Sequence, residues 1–183
     1  MDCALRLRAG HRLDPTEVRT VRCRTAAGPV PRLWEPLAAK HTPPNGYAAK
    51  FSLPYLVAVI LVKGRAGLAE FTDAAVRDEA VLRVARRVGY ELDETIDYPR
   101  QFVGDVEITL ADGRVLRERQ DRPRGGPDRP MARHELEDKF RGNAARALPG
   151  EQVERVLRAV TALPAARDLT ELVAALTPTR SRP

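Results

Sequence analysis

The residues best suited to chemistry lie at the start of a long apolar stretch. Lys50 and Ser52 lie within three residues of the start of the apolar run from Leu53 to Val62. A lysine beside the free N–H groups of a helix N-terminus would form a seat for an anion, and Ser52 could donate a hydrogen bond to the same anion. The alternatives are a lysine whose stem covers a buried helix while its ammonium stays in solvent, and a serine that caps the helix.

Two further residues near this segment could transfer protons. Tyr55 follows Ser52 by three positions and could donate a proton, although a tyrosine on an apolar helix is commonly a core residue with a paired hydroxyl. His41 could titrate near neutral pH, although a single histidine in a loop is commonly only solvated. We therefore take Lys50, His41 and Tyr55 as candidate catalytic residues, and Lys50 and Ser52 as candidate substrate-binding residues.

The remaining polar groups predict no metal site and no reactive thiol. His11 and His134 have no partner at metal-ligand spacing. Cys3 and Cys23 lie in no CxxC motif, and we interpret both as packing residues. Asp105 and Glu107, two apart on a predicted strand, are interpreted as a solvated strand face. The arginines of the loop 121–130 are interpreted as exposed.

Composition favours one domain with an anionic partner. The chain has 183 residues, 43% of them hydrophobic, and a net charge of +6. Residues 1–65 hold 11 Lys and Arg against 4 Asp and Glu, which favours an anionic small molecule or an acidic surface. No nucleic-acid-binding motif or aromatic-interleaved basic stripe accompanies this charge, so we expect no nucleic acid partner.

The hydrophobic pattern predicts an α+β fold: a small, mainly antiparallel sheet, a central apolar helix and C-terminal helices. Strict alternation predicts a strand over 18–25, and Asp112-Gly113 between two alternating runs predicts a hairpin over 103–119. The apolar run 48–62 predicts a central helix with Ser52 near its N-cap, Pro54 in its first turn and Gly64 as its end. The Pro-rich stretch 26–47 is predicted to hold little regular structure beyond a turn near Trp34. Helices are predicted near 132–147, 150–163 and 168–176.

We expect one domain over 1–176 and a disordered tail over 177–183. The start of the chain alternates charged and apolar residues, unlike a signal peptide. The longest apolar run is too short to cross a bilayer. We therefore expect a cytoplasmic protein without a membrane partner.

Three segments, in order, resemble the MmgE/PrpD family. Gly46 to Tyr55 (GYAAKFSLPY) is similar to the family's G-x-x-x-K-F-S-x-x-Y, and Val106 to Arg114 (VEITLADGR) is similar to its strand-D-G-strand hairpin. Pro123-Arg124-Gly125, followed by Leu136 to Phe140, is similar to its P-x-G…L-x-x-K-F. The opening Met1-Asp2-Cys3-Ala4 resembles the I-D-A start of the family's second domain. The resemblance therefore covers residues 1 to about 176.

This resemblance implies the C-terminal α/β lid domain of a lyase or isomerase that acts on small polycarboxylates, similar to 2-methylcitrate dehydratase and cis-aconitate decarboxylase. It implies no metal or redox cofactor. The family places its histidines and most lysines on a helical N-terminal domain, and one further lysine in a K-x-Y-P stretch just before the region matched here. We therefore expect a truncated or split form that is inactive without a separately encoded helical domain.

The alternative is a free-standing module that binds an anion or a protein without catalysis. If the helical domain is separate, the face that meets it is expected to be exposed and apolar, around Ala48 to Ile60. Large exposed apolar patches drive association, so this expectation also predicts a homo-oligomer.

Overall fold

The computed structural model describes residues 1–177, which divide into two compact units at Pro130 and Met131. Each unit is described by itself. The single domain expected over 1–176 stays a prediction. The tail expected over 177–183 lies, beyond Thr177, outside the described residues.

The first unit combines a four-stranded sheet with six α-helices. Short 3-10 turns cover Pro15–Glu17, Leu68–Phe71 and Ala75–Arg77. Its helices and strands are α1 (Asp2–His11), β1 (Val18–Thr25), α2 (Val30–Leu33), α3 (Leu37–His41), α4 (Gly46–Ala49), α5 (Leu53–Lys63), α6 (Glu79–Ala85), β2 (Val88–Leu92), β3 (Gly104–Leu110) and β4 (Val115–Gln120).

The sheet has the strand order β2-β1-β3-β4. Strand β3 runs antiparallel to both β1 and β4, whereas β2 runs parallel to β1. Val21 and Cys23 of β1 are buried against the helices, and Arg22 and Arg24 between and after them point to the other face, as a side-chain period of two requires. The predicted α+β class with a mainly antiparallel sheet is confirmed.

Helix α5 is the central element of the first unit, as predicted. Its residues from Pro54 to Leu61 are all buried, and it packs against α6, α1, α3 and β2. Gly64 ends the helix in the left-handed region, with φ of 73°, and donates its N–H to Ile60 O at 2.8 Å. No helix within residues 1–177, α5 included, is long and apolar enough to cross a membrane.

The predicted cap at Ser52 is confirmed as the start of α5, whereas the apolar residues before it belong to a separate helix. Helix α5 begins at Leu53, and residues Gly46–Ala49 form the separate helix α4. Pro54 has no N–H and its ring would clash with the carbonyl of residue 50 in a continuous helix. The chain therefore turns at Lys50 and Phe51 and begins a new helix at the Ser52 cap.

The expected exposed apolar surface around Ala48 to Ile60 was wrong. The α5 residues are covered within the first unit by α6, α1 and β2, and helix α4, which holds the buried Ala49, packs on the 3-10 turns Leu68–Phe71 and Ala75–Arg77, so the apolar run forms the core. Among the exposed large side chains of this region is Tyr47, which is 72% exposed. The homo-oligomer stays a prediction, without this surface as its basis.

The second unit is helical, in agreement with the three predicted C-terminal helices. Its α-helices are α7 (Arg133–Ala144), α8 (Gly150–Ala162) and α9 (Thr170–Leu176). Val153 and Val156 of α8 are buried, as is Ala175 of α9. Gln152 donates to Ala175 O at 3.1 Å. These contacts fix α9 on α8.

Candidate functional site

The segment that carries Lys50 is held at several backbone positions. Asn45 caps α4 by accepting a hydrogen bond from Ala48 N at 2.8 Å. Gly46 N donates to the Asp73 carboxylate at 2.8 Å, which ties α4 to the chain after the 3-10 turn Leu68–Phe71. Lys50 itself is exposed and, within residues 1–177, its ammonium makes no hydrogen bond or ion pair. A free cation therefore projects from a fixed backbone.

Ser52 has both of its hydrogen-bonding functions engaged inside the first unit. Its side chain is fully buried. The hydroxyl accepts from Tyr55 N at 3.0 Å, which caps α5, and donates to Lys40 O at 2.5 Å. The structure therefore shows Ser52 as the N-cap of α5. A contact between Ser52 and a substrate stays a prediction.

Lys40 completes this junction, although no sequence pattern had singled it out. Its ammonium donates to Arg32 O at 2.6 Å and to Phe51 O at 2.7 Å. One side chain thus joins the end of α2 to the turn before α5, while the Lys40 carbonyl accepts from Ser52. No local pattern could have revealed this role, because both carbonyls become neighbours only in the folded chain.

An aromatic pair forms the surface beside Lys50. The Tyr47 and Phe51 rings meet edge to face with centroids 5.4 Å apart. The Arg32 guanidinium lies over the Phe51 ring, with its central carbon 4.7 Å from the ring centroid. Arg32, Tyr47 and Lys50 are all exposed.

His41 and Tyr55 make contacts inside the first unit. The His41 Nε2 atom lies 2.8 Å from Val88 O, so the tautomer that fits carries a proton on Nε2 and donates it to β2. The Tyr55 hydroxyl donates to Glu70 O at 2.7 Å, and the ring is fully buried. Proton transfer by either residue stays a prediction.

Burial raises the pKa of Tyr55 to about 12, from an ordinary value of 10.0. Tyr55 is therefore neutral in the folded protein. Because the folded pKa is the higher one, the stability that this neutral phenol contributes is complete below pH 10 and is lost as pH rises towards 12.

The variant Tyr55→Phe tests this consequence. At pH 8 it is expected to be less stable than wild type by about 1 kcal/mol, since it loses the hydrogen bond to Glu70 O. Above pH 10 the difference in stability between the two proteins should shrink. Only wild type contains Tyr55, which ionises more readily once unfolding exposes it, and this ionisation favours the unfolded state of wild type. Urea denaturation of both proteins between pH 8 and 11, followed through the single tryptophan, measures this. A difference that stays constant with pH would contradict a raised pKa for Tyr55.

The carboxylates Asp105 and Glu107 share the sheet face opposite α5, as predicted, but Asp105 is buried rather than solvated. Its side chain is 1% exposed, and its carboxylate lies 2.8 Å from Arg117, 3.3 Å from Arg119 and 3.6 Å from Arg24. These arginines come from both neighbouring strands. The strand register thus surrounds the Asp105 carboxylate with three arginines. Asp105 and Glu107 are therefore not arranged as a free acid and base.

Both cysteines are buried, as expected for packing residues. Burial raises the pKa of Cys23 to about 12 and also raises that of Cys3, which leaves little reactive thiolate at neutral pH. Within residues 1–177, no three His, Cys, Asp or Glu side chains cluster in a way that could hold a metal ion.

A cleft of about 330 Å³ is a second feature of the first unit. It opens between the start of α1, Leu53 and the loop that contains Tyr98 and Phe102. Gln120 lines it, and its buried Oε1 atom makes no hydrogen bond within the described chain. Lys50 does not line this cleft, so the two features are separate.

The fold and the cationic segment before α5 describe an α+β domain with an exposed candidate for anion binding. The family model of the MmgE/PrpD C-terminal domain matches residues 1–164, and the chain belongs to this family.

Two curated relatives are similar to the chain over most of its length. Cis-aconitate decarboxylase of Mus musculus is 28% identical over 133 residues, which is 71% of this chain and 27% of the mouse protein. The human protein of the same name is 26% identical over 137 residues, which is 73% of this chain and 28% of the human protein. The chain thus spans just over a quarter of the length of these relatives.

Proposed function

We propose that this chain acts as the C-terminal domain of an MmgE/PrpD-type lyase on small polycarboxylates. In this proposal it forms a lid, binds a substrate carboxylate through Lys50 and depends on a helical domain for proton transfer. Family membership supports the assignment, as do two relatives named for decarboxylation of the tricarboxylate cis-aconitate. The observation that carries it is the exposed Lys50 ammonium on a backbone fixed by four neighbouring residues.

Lys50 suits a contact with a carboxylate because its ammonium is charged and unpaired within residues 1–177 and because its backbone is held in place. A charge-assisted hydrogen bond from an ammonium to a carboxylate is about twice as strong as a neutral one. Since no acidic side chain of the described residues competes for Lys50, binding an anion breaks no existing ion pair. The turn that carries Lys50 is fixed by Lys40 and Ser52, so little backbone entropy is lost when a ligand binds.

Reconstitution with a helical domain tests the proposal. The chain is produced together with a helical MmgE/PrpD domain from the same genome and assayed for CO₂ release from cis-aconitate and for dehydration of 2-methylcitrate. The pair is expected to turn over one of these substrates, whereas the chain alone does not. Lys50→Ala is expected to lower kcat/KM of the pair by about tenfold, the loss of one charged hydrogen bond.

Lys139→Ala is the matched control, since Lys139 is likewise exposed and without an ion pair within residues 1–177. It should leave kcat/KM unchanged. Turnover by the pure chain at an enzyme-like rate would overturn the proposed dependence on a helical domain. Equal kcat/KM values for Lys50→Ala and Lys139→Ala would overturn the role of Lys50.

Binding without catalysis is the second candidate function. The observation that favours it is the engagement of Ser52, Tyr55 and His41 in hydrogen bonds within the first unit, which leaves Lys50 as a binding group. Calorimetric titration of the chain alone with citrate and cis-aconitate separates the two candidates. Binding by the chain alone, together with inactivity of the reconstituted pair, would support this second function over the first.

A further inference from the structure

Arg32 is a second exposed cation close to the segment that carries Lys50. It lies in α2, and its guanidinium carbon is 4.7 Å from the centroid of the Phe51 ring. Within residues 1–177 the guanidinium makes no ion pair or hydrogen bond, and it stacks on the Phe51 ring instead. Stacking on an aromatic ring orients a guanidinium and leaves its N–H edge free to donate to an anion.

The backbones of Arg32 and Phe51 are held side by side by the Lys40 ammonium, which donates to the carbonyls of both residues. Lys50 directly precedes Phe51 in the chain. The backbone segments that carry the two exposed cations are therefore linked through one side chain.

The charge around this pair is predominantly positive. Lys40 adds a third cation between the two backbones. The acidic side chain nearest in sequence, Glu35, has both oxygens engaged, one by Tyr90 at 2.7 Å and the other by Leu37 N at 2.9 Å. Glu35 makes no ion pair with Arg32 or Lys50 within residues 1–177. A ligand that carries two carboxylates would gain from both cations, whereas a monocarboxylate can occupy only one.

We propose that Arg32 determines specificity by binding a second carboxylate of the ligand held by Lys50, so that the site selects di- and tricarboxylates over monocarboxylates. This inference rests on the proposed function of Lys50. The guanidinium donates to one carboxylate in a bidentate manner, and the ammonium of Lys50 donates to the other. The Phe51 ring fixes the orientation of the guanidinium.

The test is calorimetric titration of the full chain, at low salt, with cis-aconitate, glutarate and propionate. Arg32→Gln removes the charge and keeps the Arg32 carbonyl that Lys40 binds. It is expected to weaken binding of cis-aconitate and glutarate by about threefold to tenfold, the range for a partly solvated charged contact, and to leave propionate unchanged. Arg32→Lys should give a smaller loss, because it keeps the charge without the bidentate geometry.

Arg83→Gln is the matched control, since Arg83 of α6 is exposed and unpaired within residues 1–177 and lies on another element. Thermal unfolding of each variant verifies that the fold is intact. If Arg32→Gln and Arg83→Gln bind cis-aconitate alike while Lys50→Gln is weakened, the role of Arg32 is overturned and that of Lys50 stands.

Two other outcomes are also decisive. Equal weakening of propionate and cis-aconitate by Arg32→Gln would show a general charge effect and overturn the selection by carboxylate number. If the full chain binds none of the three acids, either alone or with a helical domain, both the role of Arg32 and that of Lys50 are overturned.

Discussion

Replacing Gly46 by alanine is expected to lower the free energy of unfolding of the first unit by about 3 kcal/mol or more, at the upper end of what overpacking costs. A Cβ atom at this position would lie 1.9 Å from Phe71 O and 2.6 Å from Phe71 C. These are backbone atoms, so no rotation of a side chain can relieve the overlap. Either α4 or the turn Leu68–Phe71 must move.

Such a movement would disturb several contacts that surround α5. Gly46 N donates to Asp73, and Tyr55 donates to Glu70 O in the same turn. The Phe71 ring meets the Tyr55 ring with centroids 6.0 Å apart. Displacement of residues 70–73 therefore costs hydrogen bonds as well as packing, and it also shifts the backbone that leads to Lys50.

Gly10→Ala is the control for this prediction. Gly10 lies in α1, and a Cβ atom there would meet nothing within 4 Å. It is expected to stabilise the protein by about 0.5–1 kcal/mol, since alanine is the better helix former. Urea denaturation followed by the fluorescence of Trp34, which is 1% exposed in the first unit, measures both variants. If the two variants differed by less than the error of the measurement, the close approach at Gly46 would be contradicted.

Local patterns predicted the elements whose signals are contained in a few neighbouring residues. The alternation of Arg with Val, Thr and Cys over 18–25 predicted β1 at the bounds observed. Asp112-Gly113 predicted the hairpin, and Gly113 adopts a φ of 88°, which glycine accommodates without strain. The predicted N-cap Ser52 and the predicted stop at Gly64 were confirmed as the ends of α5.

The parts that could not be predicted depend on contacts between distant segments. Strand β2 pairs in parallel with β1, for example Val88 with Val21, and no turn between them encodes that register. The Pro-rich stretch 26–47 forms the short helices α2 and α3 on either side of the buried Trp34, and α4 begins at its end. The apolar run after Lys50 showed that α5 is central, but not that α1 and α6 cover it within the same unit.

The candidate site was predictable only in part, for the same reason. Lys50 could be selected because a lysine before an apolar helix is a local signal. Arg32 and Lys40 could not, since α2 meets Phe51 only in the folded chain. Functional residues of this kind are found by tracing which backbone carbonyls a side chain binds, and not from spacing.

Replacing Ser52 by alanine is expected to lower the free energy of unfolding by about 2–3 kcal/mol. The loss of a helix N-cap costs about 1 kcal/mol, up to about 2, and a buried acceptor left without its donor costs about 1–3 kcal/mol. Both apply here, because the hydroxyl caps Tyr55 N and also donates to Lys40 O in a fully buried position.

Thr42→Ala is the matched control for Ser52→Ala. The Thr42 hydroxyl also donates to a backbone carbonyl, that of Ala38 at 3.3 Å, but Thr42 is exposed. Water can replace its hydrogen bond, so the change in stability should be within about 0.5 kcal/mol. Urea denaturation gives the stabilities, and amide hydrogen exchange at Tyr55 should accelerate in Ser52→Ala alone. Equal stabilities of the two variants would contradict the structural role of Ser52.

The same variant separates the cap from a direct contact with substrate. If Ser52 acts only as a cap, Ser52→Ala that is still folded, well below its unfolding midpoint, should bind cis-aconitate with nearly the affinity of wild type. The Lys40 ammonium continues to hold the Phe51 carbonyl in that state, so Lys50 stays in place. A loss of affinity in the folded variant of about tenfold, comparable to that expected for removing the Lys50 charge, would instead assign the Ser52 hydroxyl to the substrate.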